Sequence, residues 1–141
     1  VHLKSSKMKT KNDYQKYIHV YLKRRAEYKR KGRNIKPLTA KIAGWKKQIK
    51  RIEVKESIMK TVDTQITVFL GLSPKTGETI PRRFFYRWCL ENGVNSLYIR
   101  QYLGITSKTI ISRGRMNLIR NKEKNELYKR FLKYIEDGLT I

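Results

Sequence analysis

The chain is 141 residues long, which allows one domain, or one small domain with an extension. Its 34 Lys+Arg against 11 Asp+Glu give a formal charge of +23, an imbalance that speaks about partners and not about fold. Dense positive charge repels itself in the free protein and is relieved beside a polyanion, where bound counterions are released. Nucleic acid is the polyanion expected, ahead of an anionic membrane surface.

Cys89 stands alone, so no intrachain disulfide is expected and the chain suits a reducing compartment. Within FFYRWCL it reads as a small core residue and not as a nucleophile. His2 and His19 lack ligand-spaced partners, so neither a metal site nor a cofactor is expected. No stretch approaches the roughly 20 apolar residues of a membrane span. The first residues show no long uncharged apolar core, so no signal peptide is expected, and the expected location is cytoplasmic and nucleoid-associated. Met8 would make a natural start, so residues 1–7 read as an extension.

In chain order, residues 1–11 are basic and polar and are expected to be a disordered tail. A helix follows, capped by Asn12 or Asp13, with Tyr14, Tyr17, Ile18, Tyr21, Leu22 and Tyr28 along one face. Its other face carries Lys16, Lys23, Arg24, Lys29 and Arg30, and Gly32 ends it. A second helix starts near Pro37, where the missing N–H costs nothing. Leu38, Ile42, Trp45, Ile49, Ile52 and Met59 form its apolar stripe. Two such helices joined by a short turn are expected to fold back as an antiparallel hairpin over residues 12–62. Residues 1–62 carry 20 Lys+Arg and only 4 Asp+Glu. Ordinary i,i+4 charge pairing is thus unavailable, and Lys23, Arg24, Lys46 and Lys47 are expected to face phosphates.

Residues 61–72 fit either a helix or a strand, since TVDTQITVF is rich in β-branched side chains; the helical neighbours favour a helix. SPKTGET is a loop and the expected seam before a second domain, 63–141. Pro81 opens a further helix with Phe84, Phe85, Trp88 and Cys89 as core, and Arg82, Arg83 and Arg87 on its other side. Asn95 or Ser96 then caps a two-turn helix in which Ile99 and Leu103 point inward. Gly104 permits a sharp turn, Ile105 plugs the space behind it, and Thr106 or Ser107 caps the next helix. There Ile110 and Leu118 are expected to face the core; Gly114 either admits a close neighbour or breaks the helix. Asn121 caps a last amphipathic helix, closed by Gly138, that completes the core or, alternatively, forms a homodimer interface.

Residues 97–115, with Ile99, Leu103, Gly104, Ile105 and Ile110 in place, resemble the helix-turn-helix superfamily of DNA-binding proteins. The resemblance implies that the start of the second helix enters the major groove. It carries groove contact onto Thr106, Ser107, Lys108, Ile111, Ser112 and Arg115. Arg100 stands where the superfamily usually has a small residue, and Arg113 where an aliphatic is usual. Both join Arg82 and Arg83 as expected phosphate contacts.

The expected protein is thus all-α, a basic N-terminal helical hairpin followed by a small helix-turn-helix bundle. The expected function is DNA binding, as a transcription regulator or accessory factor of a phage or mobile element, with double-stranded DNA as partner. RNA binding and a genome-packaging or scaffold role are the alternatives. No catalytic constellation is visible, because an enzyme would need Asp63, Glu78 or Glu91 to converge, so no enzymatic activity is expected.

Overall fold

The computed structural model describes residues 9–139, all helix and connecting turn, and among these residues there is no strand. The helices are α1 (Lys11–Arg30), α2 (Lys36–Leu70), α3 (Thr79–Glu91), α4 (Ser96–Leu103), α5 (Lys108–Arg120) and α6 (Lys122–Leu139). A single 3-10 turn, Pro74–Thr76, lies between α2 and α3. The protein is all-α. Most of the expected tail, residues 1–8, lies outside the described residues, and Lys11 already belongs to α1.

The β-branched stretch of α2 is helical for a visible reason. The hydroxyls of Thr61, Thr64 and Thr67 donate to the carbonyls of Ser57, Lys60 and Asp63, four residues back, at 2.8–3.0 Å. Each threonine is thereby satisfied inside the helix, while Val62 and Ile66 between them are fully buried. Burial on a helical period outweighs the modest β preference of these residues.

Two compact units divide the chain, Val1–Val54 and Lys55–Ile141, with the boundary inside α2 and ahead of the expected 62/63 junction. In the first unit the cap of α1 is Thr10, ahead of the expected Asn12 or Asp13. Thr10 Oγ1 accepts from the Asp13 amide at 3.2 Å, and Asp13 Oδ2 accepts from the Thr10 amide at 2.9 Å, a reciprocal capping box. The bond from the Thr10 backbone holds the Asp13 carboxyl below its ordinary pKa. Helix α1 buries none of its residues, and Leu38, Ile42 and Ile52 are the buried apolar side chains of the described part of this unit. Aromatic rings do the rest: Tyr17 and Tyr21 lie 5.4 and 4.7 Å from Trp45, and Lys11 Nζ approaches Glu53 at 3.9 Å.

The second unit has a continuous core. Met59, Val62 and Ile66 of α2 join Phe84, Phe85 and Cys89 of α3, Ile99 and Leu103 of α4, Ile111 and Leu118 of α5, and Tyr128 and Phe131 of α6. Phe84 packs 5.3 and 5.5 Å from the rings of Tyr128 and Phe131, and Phe85 stacks on Tyr102 at 5.3 Å. A buried carboxylate ties three segments together. Asp63 of α2 accepts from the hydroxyls of Tyr102 at 2.6 Å, Ser73 at 2.9 Å and Thr67 at 3.3 Å. Tyr102 and Ser73 each turn a hydroxyl proton to the carboxylate, and Thr67 shares with it the proton it gives to the Asp63 carbonyl, so the charge is taken out of water without being orphaned. At the chain's end Gly138 does not close α6, which runs to Leu139.

Candidate nucleic-acid interface

Helix α4 is short and sharply bounded. Asn95 Oδ1 accepts from the Leu97 amide at 2.9 Å, and Gly104, with φ +71°, ends the helix in the left-handed region that side chains avoid. The Ile105 amide closes the turn onto the Arg100 carbonyl at 3.0 Å. Ser107 then caps α5, its Oγ accepting from the Ile110 amide at 3.4 Å. Helix α5 runs unbroken past Gly114 to Arg120.

The inward face of α5 is Ile111, Gly114 and Leu118. Gly114 admits a close neighbour and does not break the helix: a Cβ built there would lie 2.6 Å from the Tyr86 ring of α3. This fixes the helix's rotation and corrects the expected contact set. Ile111 is fully buried and cannot touch a base, whereas Ile110, expected in the core, is 52% exposed. Thr106, Lys108 and Ser112 are exposed, as is Arg113, expected at a phosphate, and as are Thr109, Asn117 and Arg120, three residues that the expected contacts did not include.

Several cations are already engaged. Arg115 is half-buried and pairs with Glu91 at 3.4 Å, the carboxylate that also meets Arg87 at 3.4 Å. Arg100 is half-buried and partly committed. Its Nη1 donates to the Thr106 carbonyl at 3.0 Å, bracing the turn, and its Nε is buried. Arg82 Nε donates to the Pro74 carbonyl at 3.0 Å, and Arg83 Nη1 to Asn117 Oδ1 at 2.7 Å; each guanidinium keeps further N–H groups. In the other unit Lys23, Arg24, Lys46 and Lys47 are all exposed, and Arg24 lies over the Tyr21 ring at 4.9 Å.

Two concavities flank the exposed face of α5. One, of about 370 Å³, is lined by Ser112, Arg113, Met116, Asn117 and Arg120. The other, of about 520 Å³, lies between α5 and the first turns of α3. The three carboxylates that an enzyme would have needed have separate settings. Asp63 is held by hydroxyls, Glu91 by arginines, and Glu78 stands exposed at the start of α3. Among the described residues no three of His, Cys, Asp and Glu are grouped to hold a metal ion. Burial pushes the Cys89 thiol well above its ordinary pKa, so it stays protonated and unreactive. Burial, and then the bond to Asp63, likewise raises the Tyr102 phenol. No helix among the described residues is long and apolar enough to cross a membrane.

Of the expected contacts, therefore, the structure leaves Thr106, Lys108, Ser112 and Arg113 open on or beside α5, with Arg82 and Arg83 partly committed next to them. Ser107 is engaged as a cap, Arg115 in an ion pair and Ile111 in the core, and Arg100 gives one N–H to the turn. No known protein family, curated protein or solved structure matches the chain.

Proposed function

We propose that the protein binds double-stranded DNA, with α4, the Gly104 turn and α5 acting as a helix-turn-helix and the outer face of α5 entering the major groove. The observation that carries this reading is the composition of that face. Lys108, Thr109, Ser112, Arg113, Asn117 and Arg120 are all exposed on one helix that follows a tight glycine turn, and none is acidic. Arginine offers the paired hydrogen bonds that distinguish a guanine edge, and the hydroxyls suit backbone or base contacts. Ile110 is the aliphatic side chain available to a thymine methyl, in place of Ile111.

The first unit supplies affinity without sequence preference. Its contacts, Lys11 with Glu53 and Tyr17 and Tyr21 with Trp45, support an antiparallel helical hairpin with its lysines and arginines directed outward. Binding carried by such charges weakens steeply with salt, by a log–log slope of about 0.9 per phosphate neutralised. Competition between a duplex pool and structured RNA at matched salt tests the partner. Preference for duplex supports the proposal, and RNA displacing every duplex replaces it with an RNA-binding role.

A further inference from the structure

The cleft between α3 and α5 has a chemistry of its own. Arg82, Arg83 and Arg113 line it, and no carboxylate does. Arg113 is exposed and has no protein partner among the described residues. Arg82 and Arg83 are each fixed through a single nitrogen, to the Pro74 carbonyl and to Asn117. Their remaining N–H groups are thus held in position and unspent, which lowers the entropy lost on gripping an anion. Three guanidinium groups around one hollow repel one another until an anion sits among them.

The base of the cleft is apolar and close-packed. Tyr86 and Gly114 are buried there, and the glycine is what lets the tyrosine ring come so near α5. Ile110 adds an exposed aliphatic wall. At about 520 Å³ the space falls within the range of about 300–1,000 Å³ typical of small-ligand sites. A phosphate alone would leave the apolar part unused, whereas a phosphate carried on a nucleoside would use both parts.

We propose that this cleft binds a nucleoside monophosphate, its phosphate held by Arg82, Arg83 and Arg113 and its nucleoside set against Tyr86, Gly114 and Ile110. The same chemistry is offered by a free mononucleotide and by the phosphorylated end of a single strand. The cleft shares Ile110 and Arg113 with the face proposed to meet a duplex; the test contains no duplex, so the two readings fail separately.

The experiment is calorimetric titration of the full chain at ~0.15 M salt with adenosine monophosphate, adenosine and inorganic phosphate. The monophosphate is expected to bind about tenfold or more tightly than either fragment. Arg113→Gln, at an exposed position, is expected to weaken it by about tenfold, and Lys133→Gln, which removes equal charge from an exposed position on α6, by less than about twofold. Adenosine or phosphate binding as tightly as the monophosphate would overturn the proposal, as would equal losses in the two variants. Two single strands that differ only in a terminal phosphate assign the source. Tighter, Arg113-dependent binding of the phosphorylated strand points to a nucleic-acid end, and equal binding points to the free nucleotide; both results uphold the cleft's chemistry.

Discussion

The two units reach stability by different means. Lys55–Ile141 is built around a continuous apolar core drawn from α2, α3, α4, α5 and α6, while α1 in the other unit has half-buried but no fully buried residues. In sequence, Val1–Val54 carries 18 Lys+Arg and 3 Asp+Glu, against 16 and 8 in Lys55–Ile141. Charge and core are thus traded against each other along the chain. The lesson is that one unit can hold a side chain in a fixed place, as base recognition needs, and the other offers charge on a lightly packed frame, which suffices for phosphates.

The most severe way to break that comparison is to cut into each unit's packing. Phe84→Ala removes a fully buried ring from among Tyr128 and Phe131 and is expected to cost about 3–5 kcal/mol of stability. Trp45→Ala removes a half-buried ring with two aromatic neighbours and is expected to cost about 1–3 kcal/mol. Denaturant titration followed by circular dichroism measures both; equal losses would erase the distinction between the units.

Next in size is the rotation of α5. Ile111→Ala is expected to destabilise by about 2–5 kcal/mol, and its neighbour Ile110→Ala to stay within about 0.5 kcal/mol of the parent. Thermal melts of the pair decide it, and a reversal would put the helix's other side in the core.

The first unit's part is sharpened by neutralising Lys23, Arg24, Lys46 and Lys47 together to Gln. The salt slope of duplex binding is expected to become shallower by up to about 3.6, from about 0.9 per lost contact. Ranking among duplex sequences should be unchanged. Altered ranking would assign these residues to base reading.

The smallest effect concerns the Asp63 tie. The Tyr102 phenol is raised in the folded chain, so the fold keeps its proton where the unfolded chain gives it up. This contribution is fully present below about pH 10, the ordinary tyrosine value, and is lost as the pH climbs through the higher folded value. Tyr102→Phe is expected to cost about 1–2 kcal/mol at neutral pH by removing one bond to a buried carboxylate. It should also flatten the fall in stability above that pH, measured by denaturant titration across alkaline buffers.

Much of the helical layout is legible in the sequence, because glycines and caps mark it. Gly32, Gly93 and Gly104 adopt positive φ at or just beyond helix ends, and Asn95, Ser107 and Asn121 each cap a helix through the side chain. The rotation of α5 is not legible. Ile110 and Ile111 are equally apolar, and the residue that decides between them, Gly114, has no hydropathy to reveal that it faces Tyr86. Choosing Ile110 with Leu118 puts the stripe at a spacing of four and four, whereas the actual face steps three and then four from Ile111. The fates of Arg100 and Arg115 are equally hidden. Whether an arginine meets a phosphate, a turn carbonyl or a neighbouring glutamate depends on tertiary placement, as with Glu91, 24 positions from Arg115. The cleft is hidden for the same reason, since its arginines come from two helices.

The central claim is that the exposed face of α5 reads a duplex. It is tested most directly by selection from a random duplex library, run in parallel for the parent chain and for the combined Lys108→Ala, Ser112→Ala, Arg113→Ala variant. Enrichment of a motif by the parent, lost or changed in the variant while overall DNA affinity falls only modestly, is the expected result. No enrichment by the parent, or the same motif from both chains, would contradict it.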